Sequence, residues 1–478
     1  MLSKQMKSFV PNVCKHLVHN FSVQCGNKTA YPILQRSDIF RDDSKGMANK
    51  SKTSSIGLIP SHTDILVIGG GIMGTSAAYW LKEKSASKAL NITVIEKDPK
   101  FTKNSTVLSV GGIRQQFSLP ENIQMSLFGA EFLRTLKNRF GPDADICYTP
   151  NGYLTLVGEN KAEQLLDNHR IQKELGACNI ILNKTQLKER FPWLNTDDIE
   201  LGCLGVEKEG WFDPWSLLNL LKKGATDLGT RFIHAELIDF ICTGNESDVQ
   251  KPEVNQLVEI NEAIVLLPNG EKASITFDIC ILAAGSESKT VAQKAKIGSG
   301  EGLLSVPLPV ERRKRYVYNF VSQGEPPGTN TPLTIDKTGA YFRREGLGDG
   351  FIGGMSPVAS EEPETDTLEV DYNYFDDKVW PILAERIPAF NSIKVRSGWS
   401  GYYEYNTFDK NGIIGRHPYY RNFFLATGFS GHGIQQGPSV GHAIAELILH
   451  GKYRTIDLTR LNFDRIINNN PMYEVGIV

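Results

Sequence analysis

The segment that most constrains the fold is a glycine-rich turn, residues 69–74 (GGGIMG), between a strand pattern and a helix pattern. The apolar run before it, 64–68, predicts a buried parallel strand, and a helix is predicted from Thr75 to about Lys84. In this GxGxxG spacing the first glycine permits a tight turn, the second admits a pyrophosphate close to the backbone, and the third lets helix and strand pack closely. The segment therefore predicts a dinucleotide-binding cradle in which the helix N-terminus faces the phosphates.

The next strand pattern supports this interpretation and narrows the choice of nucleotide. Residues 92–95 (ITVI) lead to Glu96, which lies 22 residues after Gly74. An acid at this position accepts hydrogen bonds from an adenosine ribose and repels a 2′-phosphate, so FAD or NAD fits and NADP does not. Two alternatives stay open here: a glycine turn that binds no ligand, and a Glu96 that only caps its strand.

Two later segments favour FAD over NAD. Residues 277–285 (FDICILAAG) predict an apolar strand that ends in small residues, as where backbone lies close to a cofactor. The strand pattern 423–426 leads into 427–438 (TGFSGHGIQQGP), followed by a helix predicted from Val440 to about Leu449 and ended by Gly451. This second loop suits a long cofactor whose isoalloxazine ring needs its own clamp of N–H groups and a helix dipole. A sharp strand-to-helix connection is the alternative.

These segments define a predicted FAD-binding set that starts in the first glycine turn and ends in the last loop. Its members are Gly69, Gly70, Gly71, Ile72, Met73, Gly74, Glu96, Lys97, Ser105, Ala284, Gly285, Gly428, Phe429, Ser430, Gly431, His432, Gly433 and Ile434. The histidines outside this set show no metal-ligand spacing, so no metal site is predicted.

Composition argues against several other classes of protein. Lys plus Arg number 52 against 54 Asp plus Glu, a net charge of −2, whereas a nucleic-acid-binding protein usually carries a basic excess. No apolar run approaches the ~20 residues that a membrane span needs, so at most a peripheral association with a membrane is expected. Seven cysteines without a CxxC spacing indicate reduced thiols, with neither a disulfide framework nor a zinc site.

The first 37 residues predict targeting to mitochondria. They contain no Asp or Glu, and the first acid is Asp38. Basic residues, and apolar residues at three- and four-residue steps, predict a helix with a cationic and an apolar face, the pattern of a mitochondrial presequence. A disordered basic tail, favoured by Pro11, is the alternative. Residues 41–60 predict a linker between this presequence and the folded part of the chain. The presequence predicts a location in the mitochondrial matrix, with peripheral contact to the inner membrane at most.

Sequence blocks spread from about residue 62 to 460 resemble the D-amino-acid oxidase superfamily, and above all its sarcosine, dimethylglycine and glycine oxidoreductases. The blocks are SVGGIRQQFSLPENIQ (109–124), FPWLNT (191–196), EGWFDPWSLL (209–218), VERRKRYVY (310–318), GAYFRREGLG (339–348), LEVDYNYF (368–375), GYYEYNTFDKNGIIG (401–415) and GFSGHG (428–433). RQQFSLPENIQ and YYEYNTFDKNG are similar, more narrowly, to a mitochondrial branch that acts in the assembly of respiratory complex I.

The resemblance implies an α/β fold: a Rossmann-like two-dinucleotide-binding-domain FAD fold with an antiparallel α+β substrate domain. It implies a presequence and linker at 1–60, an FAD-binding domain at 61–147, 205–300 and 396–450, a substrate domain at 148–204 and 301–395, and a C-terminal tail at 451–478. Local signals add that Asp213 before Pro214 starts a helix and that 380–386 forms another.

Departures from the family pattern refine the expected chemistry. Where dimethylglycine-type dehydrogenases carry a flavin-linking histidine, Ser105-Thr106 is followed by Val107, and Tyr402 stands where monomeric sarcosine oxidases have a flavin-linking cysteine. The FAD is therefore expected to be non-covalent. Ile352 replaces the lysine that promotes reaction with oxygen, which favours a dehydrogenase over an oxidase. Gln435 replaces a carboxylate-binding lysine, which weighs against an amino-acid substrate held in the family's way.

Arg114, Arg343 and His432 are the candidate catalytic residues. Hydride transfer from a C–N bond to a flavin needs positioning more than acid–base groups, and Arg114, or Arg343 with Arg344, would bind a substrate carboxylate through a guanidinium fork. Arginines that lie on the surface or face phosphates are the alternative. His432 is expected to be a flavin neighbour, with a near-neutral pKa that matches the charge of the reduced ring, rather than a general base.

Two functions are compatible with these features. The first is a mitochondrial FAD protein whose partners are assembly intermediates or subunits of complex I. The second is a matrix dehydrogenase of an N-methyl amino acid or other small amine that passes electrons to a carrier. A scaffold that has lost FAD is disfavoured, because all three glycine segments and Glu96 are retained.

Overall fold

Two eight-stranded sheets contain most of the strands of the computed structural model, which describes residues 59–85, 89–241 and 258–476. The predicted presequence and nearly all of the predicted linker lie outside these residues. The strands are β1 His62–Ile68, β2 Ile92–Glu96, β3 Gly112–Ile113, β4 Tyr153–Val157, β5 Asn179–Asn183, β6 Leu201–Gly205, β7 Gly210–Trp211, β8 Arg231–His234, β9 Glu236–Ile241, β10 Glu262–Leu266, β11 Lys272–Leu282, β12 Val310–Ser322, β13 Leu333–Ile335, β14 Tyr341–Glu345, β15 Gly350–Gly354, β16 Ile393–Asn406, β17 Ile413–Arg416 and β18 Phe423–Thr427.

Helices pack on both sheets. They are α1 Ile72–Lys84, α2 Pro120–Arg134, α3 Leu136–Phe140, α4 Glu159–Glu174, α5 Lys184–Arg190, α6 Pro214–Asp227, α7 Ser288–Lys294, α8 Tyr372–Tyr374, α9 Trp380–Arg386, α10 Gly433–His450 and α11 Asp464–Ile467. Short 3₁₀ turns cover Gly285–Glu287, Gly302–Ser305, Ala359–Glu361, Pro388–Asn391 and Thr459–Leu461, and a π turn covers Phe375–Val379. Among the described residues, no helix is long and apolar enough to cross a membrane.

The first sheet brings the three predicted glycine segments to one edge. Its main order is β17-β18-β11-β1-β2-β8, and β9 and β10 join it through β11. β1 is parallel to β2 and β11, and β11 is parallel to β18, so the carboxyl ends of these four strands lie side by side. Because helices cover a parallel sheet on both faces, its strands are nearly continuous apolar runs, which is why the sequence revealed them. Ligands of open α/β sheets bind beyond such carboxyl ends.

The second sheet forms the expected antiparallel lobe. Its order is β16-β12-β15-β14-β13-β4-β6-β5, with β13 and β4 as a parallel pair. β12 and β16 form the longest antiparallel pairing, which places Arg313 opposite Tyr403. An aromatic core that includes Tyr318, Phe320 and Phe390 holds one face of this sheet against α9 and its neighbouring turns.

Three boundaries differ from the sequence-based expectations. Helix α1 begins at Ile72 instead of Thr75, because Gly71 is its N-cap. Helix α10 begins at Gly433 instead of Val440, since the glycines that suggest a loop occupy the helix face that packs tightly against α1, where a side chain on Gly437 would collide with Ile72. The expected return to the FAD domain at 396 falls inside β16, so residues 396–406 belong to the second sheet.

Local helix signals in the sequence are confirmed. The Asp213 carboxylate accepts hydrogen bonds from the N–H groups of Trp215 and Ser216, and Pro214 is the first residue of α6. Gly451 ends α10 with a left-handed φ of 70°. The predicted helix 380–386 is α9.

Candidate functional site

The first cradle is a steric arrangement of backbone around three glycines. Gly69 has a φ of 104°, and a Cβ there would collide with the carbonyl oxygen of Ala283, the residue after β11. A Cβ on Gly74 would collide with the Gly69 carbonyl oxygen, which explains why the third glycine is needed for helix–strand packing. Around Gly71 the nearest atoms to an added Cβ are side-chain atoms of Asn104 and Thr106, at 3.2 and 3.4 Å, so this position is not closed by backbone.

Glu96 lies where the sequence places it, at the carboxyl end of β2 beside the glycine turn. Its Oε2 accepts a hydrogen bond from Gly70 N–H at 2.8 Å, and its Oε1 accepts one from Asp98 N–H at 2.8 Å. Burial raises the pKa of this carboxyl, and the two hydrogen bonds partly oppose that effect. A carboxylate oxygen has several acceptor sites, so these bonds leave capacity for a ribose hydroxyl.

Sequence analysis missed Thr106, which completes the N-terminus of α1. Its Oγ1 accepts a hydrogen bond from Ile72 N–H at 3.1 Å, and its own N–H donates to Asn104 Oδ1 at 2.8 Å. The predicted set contains its neighbour Ser105, for which the structure gives no corresponding contact with α1. The irregular loop 101–111 has no periodicity from which this geometry can be predicted.

Lys97 and Gly285, predicted from distant segments, lie near each other. The Lys97 ammonium is 3.6 Å from the Glu287 carboxylate, two residues after Gly285. Glu287 also forms an ion pair with Arg312 of β12. The structure therefore brings the ends of β2 and β11 together at the mouth of the first cradle.

The second cradle is shaped by left-handed backbone and by side chains of β16. Gly428, Ser430 and Gly431 have φ values of 80°, 47° and 98°. Ser430 Oγ accepts a hydrogen bond from Asn406 N–H at 2.9 Å, and its carbonyl accepts one from the Tyr403 hydroxyl. A Cβ on Gly431 would collide with that tyrosine, so the glycine is required by the contact.

The two cradles are adjacent, as a single long cofactor requires. α10 packs on α1 so closely that a Cβ on Gly441 would collide with Ser76. At the N-terminal ends of these helices, Met73 Cε lies 3.1 Å from the position a Cβ would take on Gly433. Two helix N-termini and glycine-lined backbone thus lie side by side, and this arrangement fits a dinucleotide at α1 and a flavin ring at α10.

Arg114 and His432 come together in front of α10. Arg114 N–H donates to Gln435 Oε1 at 2.8 Å, and its guanidinium lies 5.2 Å from the Phe117 ring centre and 5.6 Å from that of Tyr153. The His432 ring stacks edge-on against Phe117 at 4.9 Å. Burial, helped by the charge of Arg114, lowers the pKa of His432 to about 3, so the expected near-neutral value is not found and the imidazole is neutral at physiological pH.

Arg343 and Arg344 do not form the expected fork. Arg343 donates to the Val110 carbonyl at 3.1 Å, to the Arg344 carbonyl at 2.7 Å and to the Glu345 carboxylate at 2.6 Å. The Arg344 guanidinium donates to the carbonyls of Pro327 and Gly348. Because adjacent residues of a strand point to opposite faces, the two guanidiniums cannot converge. Arg343 instead holds the loop that leads to Arg114.

Two carboxyls near the site, the buried Glu209 and the half-buried Glu404, were not found from the sequence. Glu209 accepts hydrogen bonds from Gln115 N–H at 2.7 Å and Gln116 Nε2 at 2.8 Å, and burial raises its pKa to about 7. Glu404, on β16 behind the second cradle, also has its pKa raised to about 7 by burial. Both lie inside the family-like blocks, where a lone Glu carries no signal of its environment.

The positions tied to covalent flavin and oxygen reactivity contain inert groups. The Tyr402 hydroxyl donates to the Thr365 carbonyl at 2.9 Å. Val107 and Leu108 are aliphatic, and Ile352 is a buried residue of β15 opposite Arg343. Val107, Leu108 and Ile352 have no nucleophilic group that could bond to a flavin, and the Tyr402 hydroxyl is hydrogen-bonded within the protein.

Comparisons with known proteins agree with this geometry. The FAD dependent oxidoreductase (DAO) family matches residues 64–447. "FAD-dependent oxidoreductase domain-containing protein 1" of Xenopus laevis is 46% identical over 429 residues, which cover 88% of this chain and 86% of that protein. The Drosophila melanogaster homologue is 46% identical over 440 residues, 91% of this chain and 84% of that protein.

The more distant relatives include proteins named dehydrogenases and proteins named oxidases. Human mitochondrial sarcosine dehydrogenase is 24% identical over 407 residues, which cover 82% of this chain and 40% of that longer protein. The crystal structure of L-proline dehydrogenase from P. horikoshii superposes with a TM-score of 0.72 at 25% identity, over 87% of this chain and 100% of that one. The chain therefore belongs to the DAO family of FAD-dependent oxidoreductases, with the two-cradle fold of that family and FAD as its cofactor.

Proposed function

We propose that this chain is a mitochondrial flavoprotein with non-covalent FAD that is required for the assembly of respiratory complex I. The observation that carries the proposal is that the two blocks similar to the assembly-factor branch form one structural unit beside the FAD site. Asn122 of the first block donates to Asn411 of the second at 2.7 Å, and Gln436 of α10 donates to Asn122 at 3.0 Å. The similarity therefore extends to a packed unit of the molecule and is not confined to isolated motifs.

A mitochondrial location is part of this proposal. It is supported by the acid-free, basic N-terminal 37 residues and by relatives whose names include a mitochondrial sarcosine dehydrogenase. Fusion of residues 1–60 to a fluorescent protein tests it directly. Uptake of the fusion into mitochondria is expected, and a cytosolic distribution would contradict the proposal.

The assembly role is tested by complementation. Cells from which the chain has been deleted are expected to contain less fully assembled complex I on native gels, and the wild-type chain should restore it. Gly71→Ala, which obstructs the cofactor while leaving the protein packing open, is expected to restore it poorly. Arg114→Met is expected to restore it, because the substitution leaves the glycines of both cradles unchanged. A normal complex I level in the deleted cells would refute the assembly role.

Arg114 supports a second candidate function, oxidation of a small amine that carries a carboxylate. When bound, FAD would accept hydride from the C–H bond next to the substrate nitrogen. The Arg114 guanidinium would bind the carboxylate, oriented by the rings of Phe117 and Tyr153. Arg343 would hold the Arg114 loop through the Val110 carbonyl, and the neutral His432 would add no charge to the site.

Anaerobic titration tests the second candidate. The holoprotein is mixed with sarcosine, dimethylglycine and a panel of amino acids while the visible flavin absorption is recorded. Bleaching by one compound would establish it as a reductant, and Arg114→Lys should then raise the KM at least about tenfold, which corresponds to 1.4 kcal/mol. If dithionite bleaches the flavin and no amine does, the amine-oxidation proposal fails and the assembly proposal stands. Re-oxidation by air should be slow, because Ile352 provides no cation for reduced oxygen.

A further inference from the structure

Glu404 places a carboxyl group directly at the N-terminus of the flavin-side helix α10. Its Oε2 accepts hydrogen bonds from the Thr427 hydroxyl and from Gly428 N–H, both at 3.1 Å. Its Oε1 lies 3.5 Å from the position that a Cβ would take on Gly433, the first residue of α10. One oxygen is thus fixed by the loop, and the other faces the helix end at which the flavin ring fits.

Among the described residues, no charged side chain forms an ion pair with this carboxyl. Arg312, its partner on β12, is bound by Glu287 and stacks on Tyr402. The loop 428–432 contributes His432, whose imidazole is neutral. Strand β16 contributes Tyr403, whose hydroxyl donates its hydrogen bond to the Ser430 carbonyl. Helix α1 contributes only the apolar Met73 here.

Burial dominates the acidity of Glu404. It raises the pKa to about 7, and the hydrogen bonds from Gly428, Thr427 and Phe429 oppose it only in part. Asp409, five residues later, shows the contrast: Arg465 binds it through two hydrogen bonds of 2.7 and 3.0 Å, whereas Glu404 has no such ion-pair partner among the described residues.

We propose that Glu404 takes up a proton when the bound FAD is reduced, and so couples the reduction potential to pH. Two electrons enter the cofactor with one proton, as hydride from a reductant, which leaves one additional negative charge near the N-terminus of α10. An ionised carboxylate at that point would repel this charge. One further proton therefore passes from solvent to the Glu404 carboxylate, which becomes a neutral acid, and it returns to solvent on re-oxidation. This inference depends on FAD binding alone, and neither on complex I assembly nor on an amine substrate.

The test is the midpoint potential of the holoprotein as a function of pH. Wild type, Glu404→Gln and Glu404→Asp are reduced with dithionite in the presence of redox dyes. One proton per two electrons is worth about 30 mV per pH unit, the value of a tenfold change for a two-electron couple. Above the oxidised-state pKa of about 7, the wild-type slope should exceed that of Glu404→Gln by up to this amount, and Glu404→Asp should keep the steeper slope with a displaced window. Glu311→Gln, an exposed acid on β12, is the matched control and should follow wild type.

Parallel slopes for wild type and Glu404→Gln would overturn the proposal. If Glu404→Gln does not retain FAD, the infrared difference spectrum of wild-type protein decides. Reduction should then produce a carboxylic-acid C=O band that shifts when glutamate is labelled with ¹³C. The absence of such a band would equally overturn the proposal.

Discussion

The two cradles are built by different means. In the first, the turn 69–74 is enclosed by backbone: the Ala283 carbonyl just after β11 lies against Gly69, and the Gly69 carbonyl lies against Gly74. In the second, the loop 428–432 is held by Tyr403 and Asn406 from β16. Those residues depend in turn on the C-terminal segment, through Asp409.

This difference suggests that the first cradle serves to bind the cofactor and the second to set the chemistry of its flavin ring. The first cradle suits the pyrophosphate, a part that all dinucleotides share. Close approach of backbone is sufficient to bind it, and the spacing of glycines in the sequence predicts that approach. The second meets the reacting ring, where the charges and hydrogen-bond partners set the chemistry. These groups come from distant parts of the chain, and substitutions should therefore affect the two cradles in different ways.

The largest effect is expected in the first cradle, from a pair of matched glycine substitutions. Gly74→Ala places a Cβ against the Gly69 carbonyl, where neither backbone segment can yield, so we expect little or no folded protein. Gly71→Ala meets only the side chains of Asn104 and Thr106, so the protein should fold but bind FAD at least about tenfold more weakly, or 1.4 kcal/mol. Circular dichroism measures whether each variant folds, and the fluorescence of the flavin released on denaturation measures how much FAD it had bound. Equal folding of both variants would show that the third glycine is not a packing requirement.

The next effect tests how far the second cradle depends on distant residues. Arg465→Met leaves the buried Asp409 without its counter-charge, and loss of one partner of such a pair typically costs about 3–5 kcal/mol. Asp409 also accepts from Asn406 Nδ2 at 3.0 Å, and the Asn406 N–H donates to Ser430, so flavin affinity should fall as well. Urea unfolding and FAD titration measure both quantities.

The matched control is the double variant Asp409→Asn with Arg465→Met, which removes the charge together with its partner. It should be clearly more stable than Arg465→Met alone. If both variants lose the same stability, the ion pair is not what supports the loop.

A smaller effect is expected from Glu474, which caps a helix from the C-terminal segment. Helix α2 begins after Leu119 and has no side-chain cap of its own. The Glu474 carboxylate accepts from the N–H groups of Ser118 and Leu119 and from the Ser118 hydroxyl, next to the loop that carries Arg114. Glu474→Ala should cost about 1–2 kcal/mol in urea unfolding, and Glu474→Gln, which keeps an acceptor, should cost less. Identical losses would indicate that the charge alone stabilises α2.

The sequence predicted what is local and periodic. The strand–glycine–helix unit, the carboxyl end at Glu96, the cap at Asp213 and the order of the segments along the chain all follow from spacing and burial patterns. The start of α10 was predicted too late, because Gly433 and Gly437 are set by packing on α1 and no propensity encodes that contact. The family resemblance supplied the antiparallel lobe, which the residues alone did not define.

The chemistry of the second cradle was the least predictable part. Arg343 and Arg344 are adjacent, so the sequence suggests that their guanidinium groups bind one substrate carboxylate. The two side chains instead point to opposite faces of β14, and Arg343 donates to the Val110 carbonyl. The acidities of His432, Glu209 and Glu404 arise from burial by elements far apart in the chain. A single sequence gives residue types at these places but not the neighbours that determine their pKa values.

The smallest effect returns to the first cradle and concerns Glu96. Glu96→Gln keeps an acceptor for Gly70 N–H but loses the charge, so FAD affinity should fall by about 0.5–1.5 kcal/mol, or roughly tenfold at most. Burial raises the pKa of Glu96 above its usual 4.5, so part of this carboxyl is protonated under mildly acidic conditions. Hydrogen bonds from a ribose favour the ionised form, so binding of FAD would release a proton from the protonated fraction. Wild-type affinity should therefore decline on mild acidification, while Glu96→Gln should change little over the same range. If both respond to pH alike, the carboxylate does not contact the cofactor, and the first cradle binds FAD through its backbone alone.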